Sequence, residues 1–99
     1  MHTPEVFFVN PHSLVAHPLL ADLPAMDERS PEFQALLASV RDRGVDIPGI
    51  VDEDGRIMDG RNRARAAARC GAEMPVIQRS SQEAPEIILA ALVNRRHLP

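Results

Sequence analysis

Aromatic residues are nearly missing from this chain, with three Phe, no Tyr and no Trp among 99 residues. An interior of stacked rings is excluded, and the core is expected to come from Leu, Ile, Val and Ala. There is one cysteine, Cys70, which excludes an internal disulfide and a cysteine-based zinc site. No apolar stretch approaches the length of a membrane span. Met1 to Pro11 lacks the basic start and apolar run of a signal peptide. A basic excess is missing too: eleven basic side chains face fourteen acidic ones, for a formal net charge of −3. Neutralising phosphates supplies most non-specific affinity for duplex nucleic acid, so gripping DNA unaided is not expected. The totals predict one cytosolic domain over residues 1–99.

What is present is ordered. Glu5 to Val9 is rich in β-branched and aromatic residues and predicts a strand, closed by Asn10-Pro11. His12 to Leu23, with Pro18, predicts an irregular segment holding one short helical turn. Ser30-Pro31-Glu32 is a helix start: Ser caps free N–H groups, Pro fits the first turn, and Glu suits the positive end. Phe33, Leu36, Leu37 and Val40 follow at helical spacing, and Gly44 supplies the left-handed stop. Strands are predicted at Ile47 to Val51 and Arg56 to Asp59, with an acidic, solvated turn between them at Asp52-Glu53-Asp54-Gly55. A helix over Arg61 to Cys70, a strand over Met74 to Gln78 and a last helix near Pro85 to Val93 complete the order. Ile87, Ile88, Ala91 and Leu92 are expected to face inward. The fold class is α+β, a small mixed sheet with flanking helices.

The chemistry concentrates where a strand meets a helix at Gly60. A helix N-terminus presents unpaired N–H groups and partial positive charge, which suits phosphate. Gly60 lets the backbone approach a ligand closely. Arg61 and Arg63 add guanidinium forks that match phosphate oxygens, and Asn62 offers a donor and an acceptor. Asp59 is a candidate Mg²⁺ ligand, weighed against an ion pair with a neighbouring Arg. Arg61, Arg65 and Arg69 lie at i, i+4 and i+8, a stripe expected to be solvated. The four His residues show no metal-ligand spacing, and Cys70 is expected to pack rather than react.

Ile57-Met58-Asp59-Gly60-Arg61-Asn62-Arg63-Ala64-Arg65-Ala66-Ala67 resembles the Gly-x-x-Arg motif of the ParB/sulfiredoxin superfamily. Leu36 to Gly44 with Ile47-Pro48, Met74-Pro75-Val76, and Asn94-Arg95-Arg96-His97-Leu98 resemble its flanking elements, so the likeness runs over residues 5–98. It implies a ParB-like nucleotide-binding module taking CTP or ATP, with Mg²⁺ as a candidate companion. By position, Gly60, Arg61, Asn62 and Arg63 would contact the phosphates. The loop with Gly44, Val45, Ile47 and Pro48 would lie near base or sugar, and Arg95 and Arg96 would close over the phosphates. DNA partition or regulation would proceed through a partner or a further DNA-binding domain, since no helix-turn-helix follows here, and a homodimer is compatible with the resemblance. Two departures bear on chemistry. The family's metal-holding Glu is absent from Ala90-Ala91-Leu92-Val93-Asn94-Arg95, and the sulfiredoxin cysteine position is Arg61, which argues against sulfiredoxin activity. The alternatives are a small Mg²⁺-dependent phosphotransferase or nucleotide hydrolase on the same fold, or a degenerate protein-association domain.

Overall fold

The computed structural model describes residues 4–96, with side chains described over 4–93. In chain order the elements are β1 (Phe7–Val9), β2 (Val15–Ala16), α1 (Pro18–Ala21), α2 (Pro31–Arg43), β3 (Gly49–Val51), β4 (Arg56–Asp59), α3 (Arg61–Cys70), β5 (Met74–Gln78) and α4 (Ala84–Arg96). Short 3₁₀ turns precede β2 at Pro11–Ser13 and α4 at Ser81–Glu83. The strands form one mixed sheet in the order β1-β5-β3-β4-β2. β1 runs antiparallel to β5 and β3 antiparallel to β4, whereas β3–β5 and β2–β4 are parallel. The α+β architecture read from the sequence is the one observed.

Side chains alternate across a strand, so the sheet has two faces to bury. Ile57 and Val51 join Met74 and Val76 beneath α2 and α3, together with Phe33, Val40, Ala64, Ala66 and Ala67. Their neighbours on the same strands, Met58 and Ile50, point the other way and pack against Ile88 and Ala84 of α4 and Leu20 of α1. The small alanines of α3 bring its axis close to the sheet. That fixes the height at which the N-terminus of α3 emerges beside the end of β4.

The interior is largely the expected aliphatic set of Val, Ile and Ala, with leucine kept out of it. Phe33, Met58 and Met74 are among the largest fully buried side chains, and no leucine falls in the buried core of the described residues. Leu20 of α1 and Leu36 and Leu37 of α2 sit at the rim of the core, half-buried, while Leu19 is exposed. Unbranched Met58 and Met74 fill the gaps, as their residue type suggests, with Met74 Cε closing the notch left by Gly49. β2 is a further departure: two residues, Val15 and Ala16, add a parallel edge beside Arg56 and Ile57. His17 then caps α1 through Nδ1, which accepts from the Leu19 N–H at 3.2 Å, and its Nε2 meets Ser81 Oγ at 2.9 Å. Leu92 is 38% exposed rather than inward.

The β3–β4 turn is the clearest correction. Asp52 is not solvated; its exposure is 0%. Oδ1 accepts from the backbone N–H groups of Asp54 and Arg56 at 2.9 and 2.8 Å, and Oδ2 accepts from Arg56 Nε at 2.8 Å. Burial pushes this carboxyl up, but the hydrogen bonds from Arg56 and Asp54 outweigh it, and the acid is held below its ordinary value. A carboxylate with a depressed folded pKa stabilises the fold above its unfolded value of about 4. That contribution is lost as pH falls through the lower folded value. Asp52→Asn puts an amide N–H₂ against a donor and should cost ~2–4 kcal/mol, lowering Tm by roughly 10–20 °C. Thermal melts at pH 7 and at pH 3 test this. The two proteins should converge as pH falls, and a variant melting with wild type at pH 7 would contradict the role given to Asp52.

Candidate nucleotide-phosphate site

β4 delivers the chain to the sheet's end at Asp59, and Gly60 turns it into α3. Gly60 has φ +96°, a backbone setting that L side chains rarely adopt. A Cβ there would lie 3.0 Å from the Cα of Gly49 on β3. A Cβ on Gly49 would in turn lie 2.9 Å from the Asp59 carbonyl oxygen. Two glycines therefore let two strands and a helix start converge. Gly49 was not singled out by the sequence, because a glycine after Pro48 in a short strand carries no signal of its partner.

Gly60 is the N-cap of α3 and has no side chain with which to cap it. Ala64 N–H closes the first helical bond onto the Gly60 carbonyl at 2.9 Å. The N–H groups of the first turn have no intrahelical carbonyl to bond. Asn62, 5% exposed, has its Oδ1 buried and without a partner, as does Arg63 at Nε. Arg63 Nη2 donates to the Pro48 carbonyl at 3.3 Å and lies 3.8 Å from Asp59 Oδ2. Arg63 thus ties the turn to the 44–48 loop. In that loop Gly44 (φ +76°) closes α2 by donating to Val40 O at 2.8 Å, Val45 packs on the core, and Ile47 is 64% exposed.

The arginine stripe on α3 is tied to the rest of the chain, although Arg69 keeps a 64% exposed side chain. Arg61 Nη1 donates to the carbonyls of Leu20 and Leu23 at 3.0 and 3.1 Å, and Nη2 to Pro24 O at 2.9 Å. Arg65 donates to Met26 O at 3.3 Å and pairs with Glu28 at 2.8 Å. Arg69 reaches the same Glu28 at 2.6 Å. The three strap the chain between α1 and α2 along α3. Their partners lie some forty residues earlier, which helical spacing cannot reveal. α4 carries Arg95 and Arg96, whose side chains lie outside the described residues, as does His97.

Beside the turn lies a cleft of about 180 Å³, walled by Leu23 and Pro24, by Met58 and Arg61, and by Ile88 and Leu92 of α4. A larger groove of about 470 Å³ opens at the other end of α3, between Phe8 to His12 and Gly71 to Glu73. That end of α3 is negative and Glu73 adds to it, so an anion is favoured at the Gly60 end. Asp52, Glu53 and Asp54 bring carboxylate oxygens within 4.8 Å of one another, but the Asp52 oxygens are committed to the turn. Cys70 donates weakly to Leu37 O at 3.6 Å and packs on the core. No described helix is long and apolar enough to cross a membrane.

No family model and no curated protein matches the chain. Solved structures do. One is the C-terminally truncated chromosome-partitioning protein ParB from Caulobacter crescentus, complexed with CTP-gamma-S. It superposes with a TM-score of 0.72 at 22% identity, covering 96% of this chain and 54% of that one. Another is a Pnob8-like ParB-N domain, with a TM-score of 0.74 at 22% identity over 98% of this chain and 40% of that one. The chain has the fold of a ParB N-terminal domain, and spans about half the length, or less, of these structures.

The glycine contact makes a stability prediction. Gly60→Ala forces both an unfavourable φ and a clash with Gly49, and should cost ~2–4 kcal/mol. Gly55→Ala shares the positive φ of +79° but meets nothing within 4 Å. It should cost only ~1 kcal/mol. Denaturant melts of the two variants that gave equal losses would contradict the close approach.

Proposed function

We propose that this chain is a ParB-like nucleotide-binding module that holds the phosphates of CTP or ATP over the N-terminus of α3. The observation that carries this is a ten-residue helix that begins at a left-handed glycine, has no side-chain cap, and places Arg63 in its first turn. The first-turn N–H groups and the helix dipole supply a fixed positive field, and Arg63 adds a two-pronged donor at its edge. Asn62 brings a buried acceptor with no protein partner, suited to a ligand or water N–H or O–H. The CTP-gamma-S complex of the Caulobacter protein supports the choice of nucleotide.

Roles divide among the remaining residues. Gly60 permits the approach. Arg61, whose Nη groups meet three carbonyls, holds the wall formed by Leu20 to Pro24 and contributes long-range positive charge. Gly44, Val45, Ile47 and Pro48 form the base or sugar loop, a placement favoured by the Arg63–Pro48 contact. The resemblance to ParB-like domains assigns Arg95 and Arg96 of α4 to the same phosphates. DNA partition or regulation is exerted through a partner or a further domain, consistent with a net charge of −3.

Titration of wild type, Arg63→Ala and Arg69→Ala with CTP and with ATP tests the reading. Losing a charge-assisted hydrogen bond costs ~1.5–3 kcal/mol, so Arg63→Ala should bind about tenfold to a hundredfold more weakly. Its melting temperature should fall only slightly, since its ion pair is partly exposed and long. Arg69→Ala, two turns away and paired with Glu28, should leave affinity unchanged. Equal affinities in all three proteins would remove the phosphate site.

A further inference from the structure

The turn is unusual for a metal-assisted phosphate site in what surrounds it. A protein-bound Mg²⁺ needs near-octahedral oxygen, drawn from one or two carboxylates, phosphates and water. Among the described residues that form the turn and its cleft, the carboxylates reduce to Asp59. Opposite it, α4 presents Ile88, Ala91 and Leu92, none of which offers a side-chain oxygen. The acidic run at Asp52 to Asp54 stands at the far end of β4, and Asp52 is spoken for by Arg56.

Asp59 itself is poorly placed to hold a cation. Its Oδ2 faces Arg63 Nη2 at 3.8 Å, and the positive end of α3 begins one residue later. A divalent ion on that carboxylate, about 2.1 Å from its oxygen, would sit beside a guanidinium and a helix N-terminus of the same sign. What the local field lacks is negative charge, not positive. An arriving phosphate supplies it and takes over Arg63, leaving Asp59 as a like charge at its flank.

We propose that this chain binds its anionic ligand without a divalent cation, Asp59 competing with the ligand for Arg63 instead of ligating a metal. This rests on the Gly60–Arg63 turn being the phosphate site. It reverses the sign expected for one substitution. If Asp59 held Mg²⁺, Asp59→Asn would weaken binding. Because it competes, Asp59→Asn removes a repulsion and frees Arg63, and binding tightens.

The test is calorimetric titration of the full chain with CTP and with ATP, in EDTA and in excess Mg²⁺, for wild type and Asp59→Asn. Wild type in EDTA should bind at least as tightly as in Mg²⁺, and Asp59→Asn should bind about threefold to tenfold tighter in both buffers. A wild-type affinity that falls tenfold or more in EDTA overturns the inference without need of any variant. So does a folded Asp59→Asn, checked by its melt, that binds more weakly in Mg²⁺. Absence of binding in both buffers overturns the phosphate site as well, whereas binding in Mg²⁺ alone overturns only the metal-free inference, which separates the two failures.

Discussion

Where β4 ends, Gly60 rests against Gly49 of the neighbouring strand, with no room for a side chain on either. Most of what the chain can do follows from that contact. It lets the strand turn into α3 within one residue, so the helix starts at the sheet's end rather than a loop's length away. The small Ala64, Ala66 and Ala67 then lay the helix flat on the sheet, buried to within a few per cent. The result is a helix N-terminus whose position is set by backbone packing, rigid to the extent that the core is. Preorganised donors of this kind need no ordering when an anion arrives.

Charge is distributed with the same economy. Every basic residue of the chain is arginine. On α3, Arg61, Arg65 and Arg69 turn outward from the sheet and fasten the chain between α1 and α2, two of them sharing Glu28. Arg63 alone among the four turns to the other side, where it bridges Pro48 and Asp59. The outcome is a four-arginine helix in which Arg65 and Arg69 share one carboxylate, with the loosely paired Arg63 guanidinium standing beside the uncapped end. Asp52 performs the matching task at the opposite end of β4. There it folds the β3–β4 turn around a buried carboxylate and so fixes the register that delivers Asp59 to the site.

Elements with strong local grammar were legible in the sequence. α2 runs from the Ser30 cap to Gly44 as its pattern predicts, with Phe33 N–H donating to Ser30 Oγ at 3.1 Å. α3, β4 and β5 likewise match, because cap, periodicity and turn residues agree there. β2 escaped because two residues carry no periodicity. The buried Asp52 escaped because an Asp-Glu-Asp-Gly run is what a solvated turn also looks like. The turn at Gly60 was visible as a candidate site, being contiguous in sequence. The partners of its arginines were not, because carbonyls at Leu20 to Pro24 are brought near by tertiary packing alone. Gly49 escaped for the same reason.

The central claim is that a nucleotide's phosphates sit on the first turn of α3. The most direct measurement is a two-dimensional ¹H–¹⁵N spectrum of the labelled chain titrated with CTP. The backbone amides of Gly60, Arg61, Asn62 and Arg63 should show the largest shifts and saturate together, with the 44–48 loop following at the same midpoint. Shifts gathered instead around Phe8 to His12 and Gly71 to Glu73, at the negative end of the helix, would contradict the account, as would a spectrum that does not move.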